Sequence, residues 1–130
     1  MIKLVDDKDF SELLELYFRM FKSIDDSVRK SQVFMHLASS MNNAGFMAHG
    51  YYHEGKMVGF TSGYIDGQVF RFTGIYSERK TAVISLINHS ENAVRELGLT
   101  KWVTVVNGNG HSIVPKIGAE IDYIQYKKDL

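Results

Sequence analysis

Two apolar runs, VFRFTGIY (Val69 to Tyr76) and KWVTVV (Lys101 to Val106), are joined by a stretch with helical periodicity. Over roughly Lys80 to Leu97, Val83, Leu86, Ile87, Val94 and Leu97 recur on one face, and Gly98 supplies a stop. A strand, a helix and a second strand in this order make a crossover, so the two strands are expected side by side and parallel. A parallel pair that begins together and then splays opens a cleft in the sheet. This unit constrains the fold more than any other stretch.

Upstream, the pattern is antiparallel. IKLV (Ile2 to Val5) reads as a first strand ended by Asp6 and Asp7, and Asp6, Asp7 or Asp9 can cap the helix that follows. Phe10, Leu13, Leu14, Tyr17, Phe18 and Phe21 form the buried face of that helix. A second helix is expected from Asp26 or Ser27, with Phe34, Leu37, Ala38 and Met41 as its stripe and NNAG (Asn42 to Gly45) as its stop. Three strand-like runs follow, separated by HEGK (His53 to Lys56) and DGQ (Asp66 to Gln68), both hairpin signals.

After the crossover comes VNGNGHSIVPKIGAE (Val106 to Glu120), with two Asn-Gly pairs and the chain's only proline. Asn-Gly usually marks a hairpin, yet here a short helix and a last strand, AEIDYIQYKKDL, are expected to follow. Pro115 suits the first turn of such a helix, where its missing donor costs nothing. The resulting order, β-α-α-β-β-β-α-β-α-β, is an α/β (α+β) chain. It implies a mixed, mostly antiparallel sheet with helices on both faces and a splayed parallel strand pair, in one domain over residues 1–130.

Composition narrows the function. Fifteen Lys+Arg balance fifteen Asp+Glu, so no net field draws nucleic acid or an anionic membrane. The absence of cysteine removes disulfides, thiolate catalysis and zinc–thiolate sites. No window has the roughly 18 apolar residues that span a bilayer, and MIKLVDDKDF is no signal peptide, so a soluble cytoplasmic protein is expected. The histidines at 36, 49, 53, 89 and 111 show no metal-ligand spacing, and no metal is expected. No nucleophile elbow or Walker-type loop is present.

The order and three stretches resemble the GNAT acyltransferase superfamily across essentially the whole chain. YYHEGKMVGFTSGYI (Tyr51 to Ile65) is similar to the family's hairpin and third strand. ENAVRELGLTKWVTVVN (Glu91 to Asn107) resembles the end of its long helix and its fifth strand. Asn107 is followed at the family's spacing by Lys116 and Gly118, and YIQYKKDL resembles the closing strand. The resemblance implies acetyl-CoA in the splay and an amine acceptor over the first helices, where Tyr17, Phe21 and Phe34 would line a pocket. It implies cofactor contacts from the backbone of Thr73, Gly74, Ile75 and Tyr76. It places the pyrophosphate near Ser77, Arg79, Lys80 and Thr81, and Asn107 near the thioester.

Two positions depart from the family pattern. The family's Gln/Arg-x-x-Gly-x-Gly/Ala loop, whose backbone amides cradle pyrophosphate, corresponds here to YSERKTAVISLI (Tyr76 to Ile87), which has no glycine. Arg79 and Lys80 would then supply point charges and Thr81 a hydroxyl; the alternative is a plain solvated helix start capped by Ser77. The family's tyrosine acid corresponds to Val114, leaving His111 as the nearest titratable group, either an acid–base residue or a surface loop histidine. The strands VFRFTGIY and KWVTVV carry no carboxylate base, and His49 is a candidate for the cleft mouth. Two functions follow: an acyl-CoA-dependent N-acetyltransferase, or a non-catalytic module of the same fold that grips a protein partner. Aromatic strands with Tyr123 and Tyr126 near the edge raise the expectation of a homodimer.

Overall fold

The computed structural model describes residues 1–104. Its five-stranded sheet has the order β1 (Ile2–Leu4), β2 (Met47–His53), β3 (Lys56–Asp66), β4 (Val69–Ser77) and β5 (Trp102–Val103). Helices α1 (Phe10–Ile24) and α2 (Lys30–Met41) lie between β1 and β2, and α3 (Ala82–Glu96) lies between β4 and β5. β1 to β4 pair antiparallel, while β4 and β5 pair parallel through Phe70–Trp102 and Arg71–Val103. The crossover expected from sequence is therefore present. The closing helix and strand expected from sequence, and any splay beyond Thr104, lie outside the described residues.

The hairpins form where glycine permits them. Glu54 and Gly55 take φ of 53° and 78° between β2 and β3, the pair of left-handed positions that a two-residue turn of matching twist needs. Gly98, at φ 83°, ends α3 as anticipated.

Neighbouring side chains of β3 alternate between the two layers. Phe60 stacks on Tyr17 of α1 with ring centroids 5.1 Å apart, while Thr61 bonds Ser90 of α3 at 2.6 Å. Helices α1 and α2 thus cover one face and α3 the other. The first layer is packed by Leu13, Leu16, Tyr17, Val33, Leu37, Met57 and Phe60; the second centres on Phe70, Phe72 and Val94.

Helix α2 departs from the expected start and stripe. Asp25 accepts from the amide and hydroxyl of Ser27, which stabilises a turn in place of a helix start. The helix begins after Arg29, whose amide donates to Oε1 of Gln32. Its buried stripe is Val33, Leu37 and Ser40, whereas Phe34 and Met41 are exposed. Among the described residues the Phe34 ring meets only that of Phe10, edge-on, and it is exposed where Tyr17 is fully buried.

Candidate functional site

The site begins with an irregularity in β4. Ser62 pairs with Gly74 and Gly63 with Phe72, so Thr73 is one residue more on β4 than β3 has to match it. Such a bulge reverses which peptide groups point outward. Before it, Phe70 donates its amide to Lys101 O at 3.0 Å, so the even-numbered residues face β5. After it, Glu78 donates to Val58 O at 2.8 Å, so the even-numbered residues face β3. The peptide groups of Ile75 and Ser77 therefore point to the β5 side, where the described strand pairing has already ended at Arg71–Val103.

This divides the residues that sequence had grouped. Gly74 and Tyr76 direct their backbone groups to β3, and Ile75 and Ser77 direct theirs to the β5 side, which is open among the described residues. The Thr73 carbonyl is taken by the phenol of Tyr17, which donates to it at 3.0 Å. Burial pushes the Tyr17 phenol pKa up, against the opposing effect of its bonds to Ser62 and Thr73, so Tyr17 acts as a neutral donor. Tyr17 is 0% exposed and lines no open pocket.

Around Thr73, hydroxyls converge from three elements. Its Oγ1 lies 3.0 Å from Ser40 Oγ of α2 and 3.1 Å from Ser62 Oγ of β3. Ser40 and Ser62 are buried, and these contacts satisfy groups that would otherwise be costly to hide. Sequence reading missed this cluster. Its signal was FTSG within a central apolar strand, where a buried hydroxyl requires a partner.

The β4–α3 junction continues the same edge. Ser77 Oγ accepts from the Arg79 amide at 3.0 Å and donates to the Arg79 carbonyl at 2.7 Å, which turns the chain toward α3. The amides of Ala82 and Val83 are engaged by the carbonyls of Arg79 and Lys80. The amides of Lys80 and Thr81 have no partner among the described residues. Thr81 precedes the helix without a side-chain cap bond. Unengaged amides at a helix start attract anions.

The two cations at this junction differ in direction. The Arg79 guanidinium contacts Nδ1 of His53 at 2.8 Å, on the β2–β3 hairpin and so across β3 from the open side. Lys80 is exposed and has no ion pair among the described residues. Glu78, the acid between them and β4, is neutralised by a two-pronged contact from Arg19 at 2.9 and 2.8 Å.

His49 is not at the cleft mouth. It faces α3, where its ring meets His89 at a centroid distance of 5.0 Å, above a groove also lined by Leu4, Met47, Asn92 and Glu96. Burial, with the His89 charge second, lowers its pKa from 6.5 to about 4. Among the described residues no three His, Cys, Asp or Glu side chains gather as a metal site. No helix among them is long and apolar enough to cross a membrane. Asn107 and His111 lie outside the described residues.

No protein-family model matches the chain, and no curated protein matches it. Solved structures do. A ribosomal-protein-alanine N-acetyltransferase from Brucella melitensis biovar Abortus 2308 superposes with a TM-score of 0.76 at 18% identity, covering 100% of this chain and 99% of its own. A predicted acetyltransferase from Clostridium acetobutylicum, solved with acetyl-CoA, gives 0.76 at 15% identity over 98% and 95%. An aminoglycoside acetyltransferase from an uncultured soil metagenomic sample, in complex with sisomicin, gives 0.74 at 17% over 100% and 95%. At these identities the likeness is one of fold, and the fold is that of the GNAT acetyltransferases.

Proposed function

We propose that this GNAT-fold chain is an acyl-CoA-dependent N-acyltransferase that moves an acetyl group from acetyl-CoA to an amine. The observation that carries the reading is the outer edge of β4, which beyond Arg71 has no strand partner among the described residues. Its Ile75 and Ser77 peptide groups lead directly to unengaged amides at the start of α3. An extended ligand bearing amides can add to such an edge as a strand does. A diphosphate at its end would meet the Lys80 and Thr81 amides and the Lys80 ammonium, which replace a glycine-rich loop.

Acetyl-CoA supplies the acyl group already activated as a thioester. The chain's part is to bind and orient. The edge of β4 fixes the arm that carries the acyl group, and the α3 start fixes the anionic end. Holding a neutral amine nitrogen against the acyl carbon lowers the barrier by several kcal/mol through orientation alone. As the C–N bond forms and the C–S bond breaks, the amine releases one proton and the thiolate takes up one. Asn107 and His111 remain the residues proposed for the thioester end, and the amine is proposed to enter over α1 and α2. The aminoglycoside acetyltransferase solved with sisomicin and the ribosomal-protein-alanine N-acetyltransferase fit this class, as does a neighbour solved with the bisubstrate analogue CoA-S-monomethyl-acetylneamine. A single-domain, cytoplasmic homodimer is the arrangement proposed with it.

Acetyl-CoA at 100 times its dissociation constant should stabilise the fold by about 2.7 kcal/mol, a melting shift of roughly 5–10 °C. Thiol release on adding an amine pool then reads the reaction. Millimolar acetyl-CoA with neither a melting shift nor calorimetric heat sinks the proposal. Binding without transfer would leave the protein as a binding module.

A further inference from the structure

We infer that His36 of α2, seated on the ring of Phe21, is a catalytic residue of the proposed transfer and takes the proton that the acceptor amine gives up; the inference rests on the function proposed above. Two helices place this pair of rings over the outer edge of β4.

Helix α1 crosses the sheet from β2 toward the β5 side. Tyr52 of β2 donates its phenol to Asp9, just before the helix, at 2.8 Å, and the Met57 amide of β3 donates to Glu12 at 2.9 Å. Tyr17 then reaches β4 through its bond to the Thr73 carbonyl. From Tyr17 to Phe21 the helix advances about 6 Å, more than the roughly 4.8 Å between neighbouring strands. Phe21 is therefore directed to the outer edge of β4, where Ile75 presents its peptide groups.

Helix α2 fixes the position along β4. Ser40 Oγ lies 3.0 Å from Thr73 Oγ1, and beyond the helix the Ala44 carbonyl accepts from the amide of Ile65, the residue paired with Phe70. The chain thus leaves α2 toward the start of β4. His36, one turn before Ser40, lies on the Ile75 side of Thr73. There its ring meets Phe21 edge-on at 4.9 Å and Tyr17 at 6.0 Å.

The imidazole suits the task. It is exposed to solvent and has no hydrogen-bond partner among the described residues. Desolvation against the two rings lowers its pKa, and no charged group among the described residues of α1, α2 or β4 contributes to the shift. The ring is therefore neutral at pH 7 with a nitrogen free to accept. The α1 carboxylates Glu12 and Glu15 are committed elsewhere, to the Met57 amide at 2.9 Å and to Lys30 at 2.8 Å. In the transfer, the lone pair of a neutral amine forms the C–N bond, and the C–S pair leaves on sulfur as thiolate. The surplus proton on nitrogen passes to the His36 ring, and the imidazolium returns it to the thiolate or to water.

The test uses the full chain with acetyl-CoA and a pool of primary amines, read by thiol release, calorimetry and NMR of the His36 ring. In wild type, saturating acetyl-CoA without amine should shift the His36 ring resonances, and turnover should fall on acidification through the His36 pKa. His36→Gln should lose about a hundred-fold or more in turnover. It should also lose that acid limb, the ionisation of the amine being common to both proteins. Its acetyl-CoA dissociation constant should stay within about two-fold of wild type. Added imidazole should restore part of the rate of His36→Ala. A His36→Gln protein as active as wild type overturns the inference and leaves the proposed function standing. So do His36 resonances that bound acetyl-CoA leaves in place. Loss of rate and of acetyl-CoA affinity together, without rescue by imidazole, overturns it in favour of a structural role for the ring. Wild type that transfers to no amine in the pool removes both.

Discussion

The phenol of Tyr17 on α1 and the carbonyl of Thr73 on β4 are 3.0 Å apart although 56 positions separate them in sequence. That bond ties the first helix to the irregular point of the strand whose outer edge forms the candidate site. The same side chain also stacks on Phe60 at 5.1 Å and tilts against Phe21 at 5.6 Å. Packing and polar satisfaction therefore fix the same place.

Gly74→Ala should be costly although it adds only one methyl group. Phe60 and Tyr17 are both 0% exposed, so neither ring has free space to retreat from a Cβ at 2.7 and 3.0 Å. Overpacking of this kind costs about 1–3 kcal/mol. Urea denaturation should show a lower midpoint with an unchanged slope; a midpoint equal to wild type would mean the rings move freely.

On the opposite face, Thr61 and Ser90 form a buried hydroxyl pair at 2.6 Å. Thr61→Val alone orphans Ser90 and should destabilise by about 1–3 kcal/mol. Adding Ser90→Ala should return part of that loss, because no unpaired buried hydroxyl then remains. A double-mutant cycle measures the coupling. Strict additivity of the two single changes would show that water replaces the missing partner.

How much of this was legible in the sequence follows from the kind of signal each part leaves. The parallel pair was legible because a helix between Tyr76 and Lys101 forces a crossover, and Gly55 and Gly98 were legible because left-handed positions favour glycine. The α2 stripe was misread by one residue because Ser40, a polar side chain, is the buried member while Phe34 is not. The bulge at Thr73 was invisible. Period-two alternation is unchanged up to Phe72, and the group that takes the displaced Thr73 carbonyl, the Tyr17 phenol, lies 56 positions away. The direction of Arg79 depends on His53, a hairpin residue 26 positions away, which no local pattern at the α3 start encodes.

The pH dependence of stability should carry a His49 component. Its pKa is lowered in the fold from 6.5 to about 4, so the unfolded chain takes up the proton first as pH falls. The contribution is complete above about pH 6.5 and is lost progressively toward pH 4, on the order of 3 kcal/mol in total. His36, also lowered by burial, adds in the same direction. His49→Gln should flatten the stability curve between pH 6.5 and 4.5. Parallel curves for variant and wild type would place the acid sensitivity elsewhere.

Lys80 and Arg79 should separate in acetyl-CoA binding although they are adjacent in sequence. Lys80 projects from the residues whose amides are unengaged, while Arg79 is held on His53 at 2.8 Å, across β3 from the open side. Lys80→Ala should weaken acetyl-CoA several-fold at low ionic strength and by less at high salt, since exposed charges are screened within about 10 Å at 0.1 M. Arg79→Ala should change affinity by less than two-fold and leave the melting point nearly unaltered, because an exposed contact of this kind contributes little. Acetyl-CoA titrations of both variants at two salt concentrations make the comparison. The reverse order, with Arg79→Ala the weaker binder, would mean that the guanidinium leaves His53 when ligand arrives. Equal, salt-independent binding by both variants would leave the backbone amides of Lys80 and Thr81 as the whole of the anion site.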